Sequence, residues 1–68
     1  MTVGSQVKQT LASLKGAQGT LRLYAAQSQD PGAVTAYQEA VFVTGSIIKD
    51  LEERLKLLEF EEPQYKGD

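Results

Sequence analysis

The strongest constraint on this chain is a pair of apolar rows, each stepping by threes and fours, broken once at Asp30-Pro31-Gly32. The second row is the cleaner: Val34, Tyr37, Val41, Thr44, Ile48, Leu51, Leu55 and Leu58 follow in steps of 3, 4, 3, 4, 3, 4 and 3, with Ala33, Ala40 and Ile47 widening it. Such alternation tracks one face of an α-helix of 3.6 residues per turn. In the first half, Val3, Val7, Thr10, Leu14, Ala17, Leu21 and Tyr24 recur the same way, overlapped by Val7, Leu11, Leu14, Gln18, Leu21 and Ala25. The pattern predicts a helix over about 2–28, a turn at about 28–31, a helix over about 31–61 and a polar tail over 62–68, all in one domain spanning 1–68. The first helix is then roughly 40 Å long.

The break carries its own chemistry. Asp30 before Pro31 reads as an N-cap followed by proline in the first helical turn, where the missing N–H costs nothing. Thr2 or Ser5 is the candidate cap of the first helix. Pro63 ends the second, because the residue before a proline avoids helical backbone. A connection this short forces the helices antiparallel, with residue i level with roughly residue 60 − i. Tyr24 then reaches the level of Tyr37, as an aromatic pair or as two separate interfacial contacts, and Lys8 reaches that of Glu52.

Sixty-eight residues bury too little surface to be stable without help, and small domains recruit disulfides, metals or partner chains. Cysteine and histidine are both absent, which removes disulfides, thiolate nucleophiles and the commonest general base and metal ligand. Association remains. Two wide stripes cannot both be covered along one mutual line, and a twofold dimer is the simplest closed solution. The expected class is therefore all-α, a long antiparallel helical hairpin dimerising into a four-helix bundle. The candidate oligomer interface is Val7, Leu11, Leu14, Leu21, Tyr24, Tyr37, Val41, Ile48, Leu51, Leu55 and Leu58.

Other residues fall off the stripes. Gly16 and Gly19, with Ala12, Leu23 and Ala26, make a small-residue strip on the opposite face: a second packing surface, or a tolerated weak spot in water. Phe42 and Phe60 lie on one side of the second helix, five turns apart, and are the candidate partner surface. Val43 and Leu57 also lie off the stripe. Gly45 permits a bend or sits in an uneventful helix.

Charge is uneven. Before Asp30 only Lys8, Lys15 and Arg22 are charged; from Asp30 onward nine acids face four bases, and the total is −2. That balance gives no expectation of nucleic-acid binding. No apolar run reaches the ~20 residues of a membrane span, and the opening Met1 to Thr10 lacks the charged and apolar regions of a secretory signal. The cytoplasm is the expected compartment. No phosphate-cradling glycine loop and no Glu-x-x-His pair occurs, and the hydroxyls have no base beside them. Glu52, Glu53, Glu59, Glu61 and Glu62 offer at most a weak hard-cation site. No enzyme, no cofactor and no dedicated metal site is expected.

The run Thr2-Val3-Gly4-Ser5-Gln6-Val7-Lys8-Gln9-Thr10-Leu11-Ala12-Ser13-Leu14-Lys15 resembles the opening of a small bacterial family, numbered 1657 among domains of unknown function. The run Leu58-Glu59-Phe60-Glu61-Glu62-Pro63-Gln64-Tyr65-Lys66-Gly67 resembles its ending. The middle departs from the family's glutamine-rich pattern at Phe42, Val43 and Ile47. The resemblance implies an endospore-forming source, a sporulation setting that includes the forespore or spore core, and a membrane-protein neighbour. It implies no catalytic residue. The expected function is a non-enzymatic, self-associating helical protein. The alternatives are a peripheral module docking on a membrane or membrane protein, and a weak metal- or ligand-binding bundle.

Overall fold

A computed structural model of the chain describes residues 3–61, Glu61 by its backbone alone. Two helices fill it: α1, Val3–Gln27, and α2, Pro31–Glu61, packed side by side. No strand occurs among the described residues. The two helix spans and the turn match the periodicity to within a residue or two. Pro63 and the tail over 62–68 lie outside the described residues, as does Thr2; Ser5 falls inside the first turn of α1 rather than at its cap.

The turn is built as its residues dictate. Asp30 Oδ2 accepts the Ala33 N–H at 2.8 Å, and the Asp30 carbonyl accepts the Val34 N–H at 3.0 Å. Asp30 is thus the N-cap of α2, satisfying a donor that the first helical turn leaves without a partner. On the other side the Ser28 N–H donates to the Tyr24 carbonyl, closing α1, and the Ser28 hydroxyl takes the Asp30 N–H. Only Ser28, Gln29 and Asp30 separate the helices, so they must run antiparallel.

The seam between them settles which of the two overlapping rows of α1 faces inward. Gly4, Val7, Leu11, Leu14, Gln18, Leu21, Ala25 and Ser28 are buried or half-buried; Val3, Thr10, Ala17 and Tyr24 are exposed. On α2 every member of the sequence-derived row, Val34 to Leu58, is buried or half-buried, and the widening residue Ile47 is exposed. Both inward rows keep a strict seven-residue repeat, which imposes a left-handed supercoil on packed helices. Leu11 and Ile48 are the only large hydrophobic side chains in the buried class among the described residues, at 6% and 7% exposure. They stand at the same level of the hairpin, counted from the turn.

One polar side chain of the seam bonds across it. The Gln18 side-chain amide donates across the interface to the Val41 carbonyl at 3.2 Å. Gly45 makes room for it: a Cβ there would stand 3.1 Å from Gln18 Nε2. Gly45 lies within the continuous helix α2, so its role is close approach rather than a bend. Nearby, the Thr44 and Ser46 hydroxyls donate to the Ala40 and Phe42 carbonyls, one helical turn back.

Glycine in a helix costs about 1 kcal/mol relative to alanine, and Gly45 carries that cost to admit Gln18. Gly45→Ala should therefore gain little in the native chain but close to that full ~1 kcal/mol when Gln18 is already alanine. A double-mutant cycle by chemical denaturation measures the difference. Equal gains in both backgrounds would show that the two residues are not coupled.

Candidate functional site

The residues beside the seam divide the hairpin into two unlike broad faces. On one edge of α1 the heptad-spaced row is Lys8, Lys15 and Arg22, the only charges of that helix. Facing it on α2 is the row Glu59, Glu52, Gly45 and Gln38. Lys8 Nζ reaches Glu59 Oε2 at 3.3 Å and Lys15 Nζ reaches Glu52 Oε2 at 3.0 Å. The pairing expected from levels alone, Lys8 with Glu52, is corrected: each lysine meets an acid seven residues further along. The cause is side-chain direction. Helical side chains lean toward their own N-terminus, and in an antiparallel pair both leans, of about one turn each, bring together residues whose Cα atoms are offset.

The same offset would set Arg22 opposite Gly45, where no carboxylate exists. Among the described residues no ion pair joins Arg22. The third rung of the ladder is given up to the glycine that admits Gln18. Above the two complete rungs lies an open groove of about 540 Å³, with Leu11 and Leu55 in its lining beside the lysines and glutamates. Both acids there are already matched by lysines. Among the described residues no group of three or more acidic, histidine or cysteine side chains is gathered to hold a metal ion.

The opposite face is uncharged along most of its length. Its α1 row is Val3, Thr10, Ala17 and Tyr24; its α2 row is Ala33, Ala40, Ile47 and Arg54, backed by Val43 and Leu57. Arg54 is held within its own helix by Asp50, Nε to Oδ2 at 2.9 Å. Five of the large hydrophobic side chains exposed to water, Val3, Tyr24, Val43, Ile47 and Leu57, belong to this face. Near the turn Tyr24 meets Tyr37 with ring centroids 5.7 Å apart and planes tilted by 54°, an arrangement that aromatic quadrupoles favour.

Most of the candidate interface residues face the partner helix of their own chain. Val7, Leu11, Leu14, Leu21, Tyr37, Val41, Ile48, Leu51, Leu55 and Leu58 line the seam within a single chain, most of them half-buried; Tyr24 is 46% exposed at its edge. Phe42 and Phe60, 75% and 86% exposed, point away from the seam on the back of α2. Gly16 and Gly19 are open, with nothing within 4 Å of a Cβ built on either. The uncharged outer row was the signal that separating the two overlapping rows of α1 would have revealed.

Exposed ion pairs are worth well under ~1 kcal/mol each, so the ladder steers orientation more than it stabilises. Lys15→Glu should lower stability by up to about 1 kcal/mol through repulsion at Glu52, and adding Glu52→Lys should recover most of it at low salt. High salt should flatten the difference. Thermal denaturation of the three chains checks this; a swap variant no better than Lys15→Glu alone would remove the ladder from consideration.

No helix among the described residues is long and apolar enough to cross a membrane. No curated protein and no solved structure matches the chain. A family model described as a protein of unknown function (DUF1657) matches residues 7–55. That span holds most of both inward rows and the Lys15–Glu52 rung, and leaves out the closing run from Leu58. Matched over more than half its length, the chain belongs to the DUF1657 family.

Proposed function

We propose that this protein is a non-enzymatic helical-hairpin module that acts by associating with itself, as a dimer completing a four-helix bundle. One observation carries the reading: the hairpin buries only Leu11 and Ile48 among its large hydrophobic side chains, while eight others stand exposed among the described residues. A chain this small needs a partner surface, a disulfide or a metal, and it has no cysteine and no histidine. The two grooved acids that chemistry would recruit, Glu52 and Glu59, are engaged by lysines. The cytoplasm, with the forespore or spore core as its sporulation setting, is the compartment this reading proposes, and the resemblance of the chain's two ends is its only support.

A second reading, docking on a membrane or membrane protein, draws on Phe42 and Phe60, which share one side of α2. Its other premise, a basic first helix, is weakened because Lys8 and Lys15 face acids of their own chain.

Sedimentation equilibrium from micromolar to nanomolar concentration, with circular dichroism on the same samples, tests self-association. Mass and helicity should fall together on dilution, since folding and association form one equilibrium. A monomer that keeps full helicity throughout would overturn the proposal. Leu51→Ala sharpens the test. Leu51 is half-buried in the hairpin, so in a lone chain its loss should cost no more than ~2 kcal/mol. If a second chain completes its burial, the cost should rise into the ~2–5 kcal/mol range of fully packed leucines.

A further inference from the structure

We infer that the second copy seats on the uncharged face, the one bearing Ala17, Tyr24, Ala40, Ile47 and Val43, and that the lysine–glutamate ladder and the two phenylalanines stay outside the dimer. The inference rests on the self-association proposed above and adds the surface through which it occurs.

The heptad flanks supply the reason. In a two-stranded coil both flanking rows are charged, because both border water. In the helices of a bundle, the inward row is joined by one apolar flank, since each helix touches neighbours on two sides. Each helix of this hairpin follows the second pattern: Lys8, Lys15 and Arg22 on one flank of α1 against Thr10, Ala17 and Tyr24 on the other, and Glu52 and Glu59 on one flank of α2 against Ala40 and Ile47 on the other. The apolar flanks of the two helices fall on the same broad face. Small residues at its centre, Ala17 and Ala40, would let two such faces approach closely. Asp50 and Arg54 satisfy each other within the face and leave no lone charge to be buried.

Area supports the same occupant. The molecule measures 48 × 17 × 11 Å, so a broad face covers roughly 800 Å², which is what each partner contributes to a standard stable interface. A face without net charge is complementary to itself under a twofold axis. An anionic membrane is the poorer fit, because the cations of α1 lie on the opposite side.

The experiment compares one substitution at two positions on one helix. Ala17 lies on the uncharged face and Ala12 away from it; both are exposed in the hairpin, so arginine at either leaves the seam intact. Ala17→Arg should weaken dimerisation at least about tenfold by burying an unpaired charge, whereas Ala12→Arg should leave it within about twofold. Because the chain lacks cysteine, single cysteines give a second readout. Val43→Cys should resist alkylation in the dimer and react on dilution, while Phe42→Cys should react at any concentration. A wild type that dimerises while Ala12→Arg or Phe42→Cys responds instead would place the interface elsewhere and overturn this inference alone. A wild type that stays monomeric would overturn both it and self-association. Binding of that monomer to phosphatidylglycerol vesicles, abolished by Ala17→Arg, would give the face to a lipid surface.

Discussion

Everything in this hairpin depends on the three-residue connection from Ser28 to Asp30 and on the capping bond Asp30 makes to the Ala33 N–H. With Pro31 fixing the first helical backbone angle, α2 can start at one place only. The register follows from that. Leu11 reaches the level of Ile48, Tyr24 meets Tyr37, and both lysines find their glutamates. A connection longer by a few residues would cost little entropy, but it would release the alignment on which every later contact relies.

The seam so aligned is narrow. It buries two large side chains and half-buries the rest, which is modest for a chain that must offset the conformational entropy of two long helices. The polar contact of Gln18 with the Val41 carbonyl adds direction rather than much stability, and it takes the place of an ionic rung at Arg22. The hairpin thus trades apolar contact and charge pairing for a defined fit along its middle. What it leaves uncovered is concentrated on one broad face.

Much of this was legible beforehand. The row from Val34 to Leu58 has a single period with no competing phase, so α2 and its inward face could be read directly. The Asp30-Pro31 pair marked the start of α2 because both residues act locally. That Tyr24 and Tyr37 share a level followed from counting, since both lie close to the turn, but only packing decided that the rings meet rather than make separate contacts. α1 was ambiguous because two rows overlap in it, sharing Val7, Leu14 and Leu21, and only packing chooses between Leu11 and Thr10 for the inner place. The ladder was not foreseen: placing Lys8 at the level of Glu52 counts Cα atoms and ignores the lean of side chains, an offset that grows with side-chain length. Gly45 could not be understood from its own neighbours: its role depends on Gln18, twenty-seven positions earlier. The function was least legible, because cysteine and histidine are absent and the remaining polar residues fall into no motif that singles out one chemistry.

The seven-residue repeat has a consequence for how such a chain can change length. Inner rows, ladder and uncharged flank all share that period. Inserting or deleting one residue in α1 would rotate everything beyond it by roughly 100°, turning either the lysine row or the uncharged row into the seam. Removing a whole heptad from each helix at the same level would instead return every row to its place. Shortening or lengthening of this fold is therefore quantised in matched pairs of heptads, fourteen residues at a time, and point insertions should be confined to the turn and the ends.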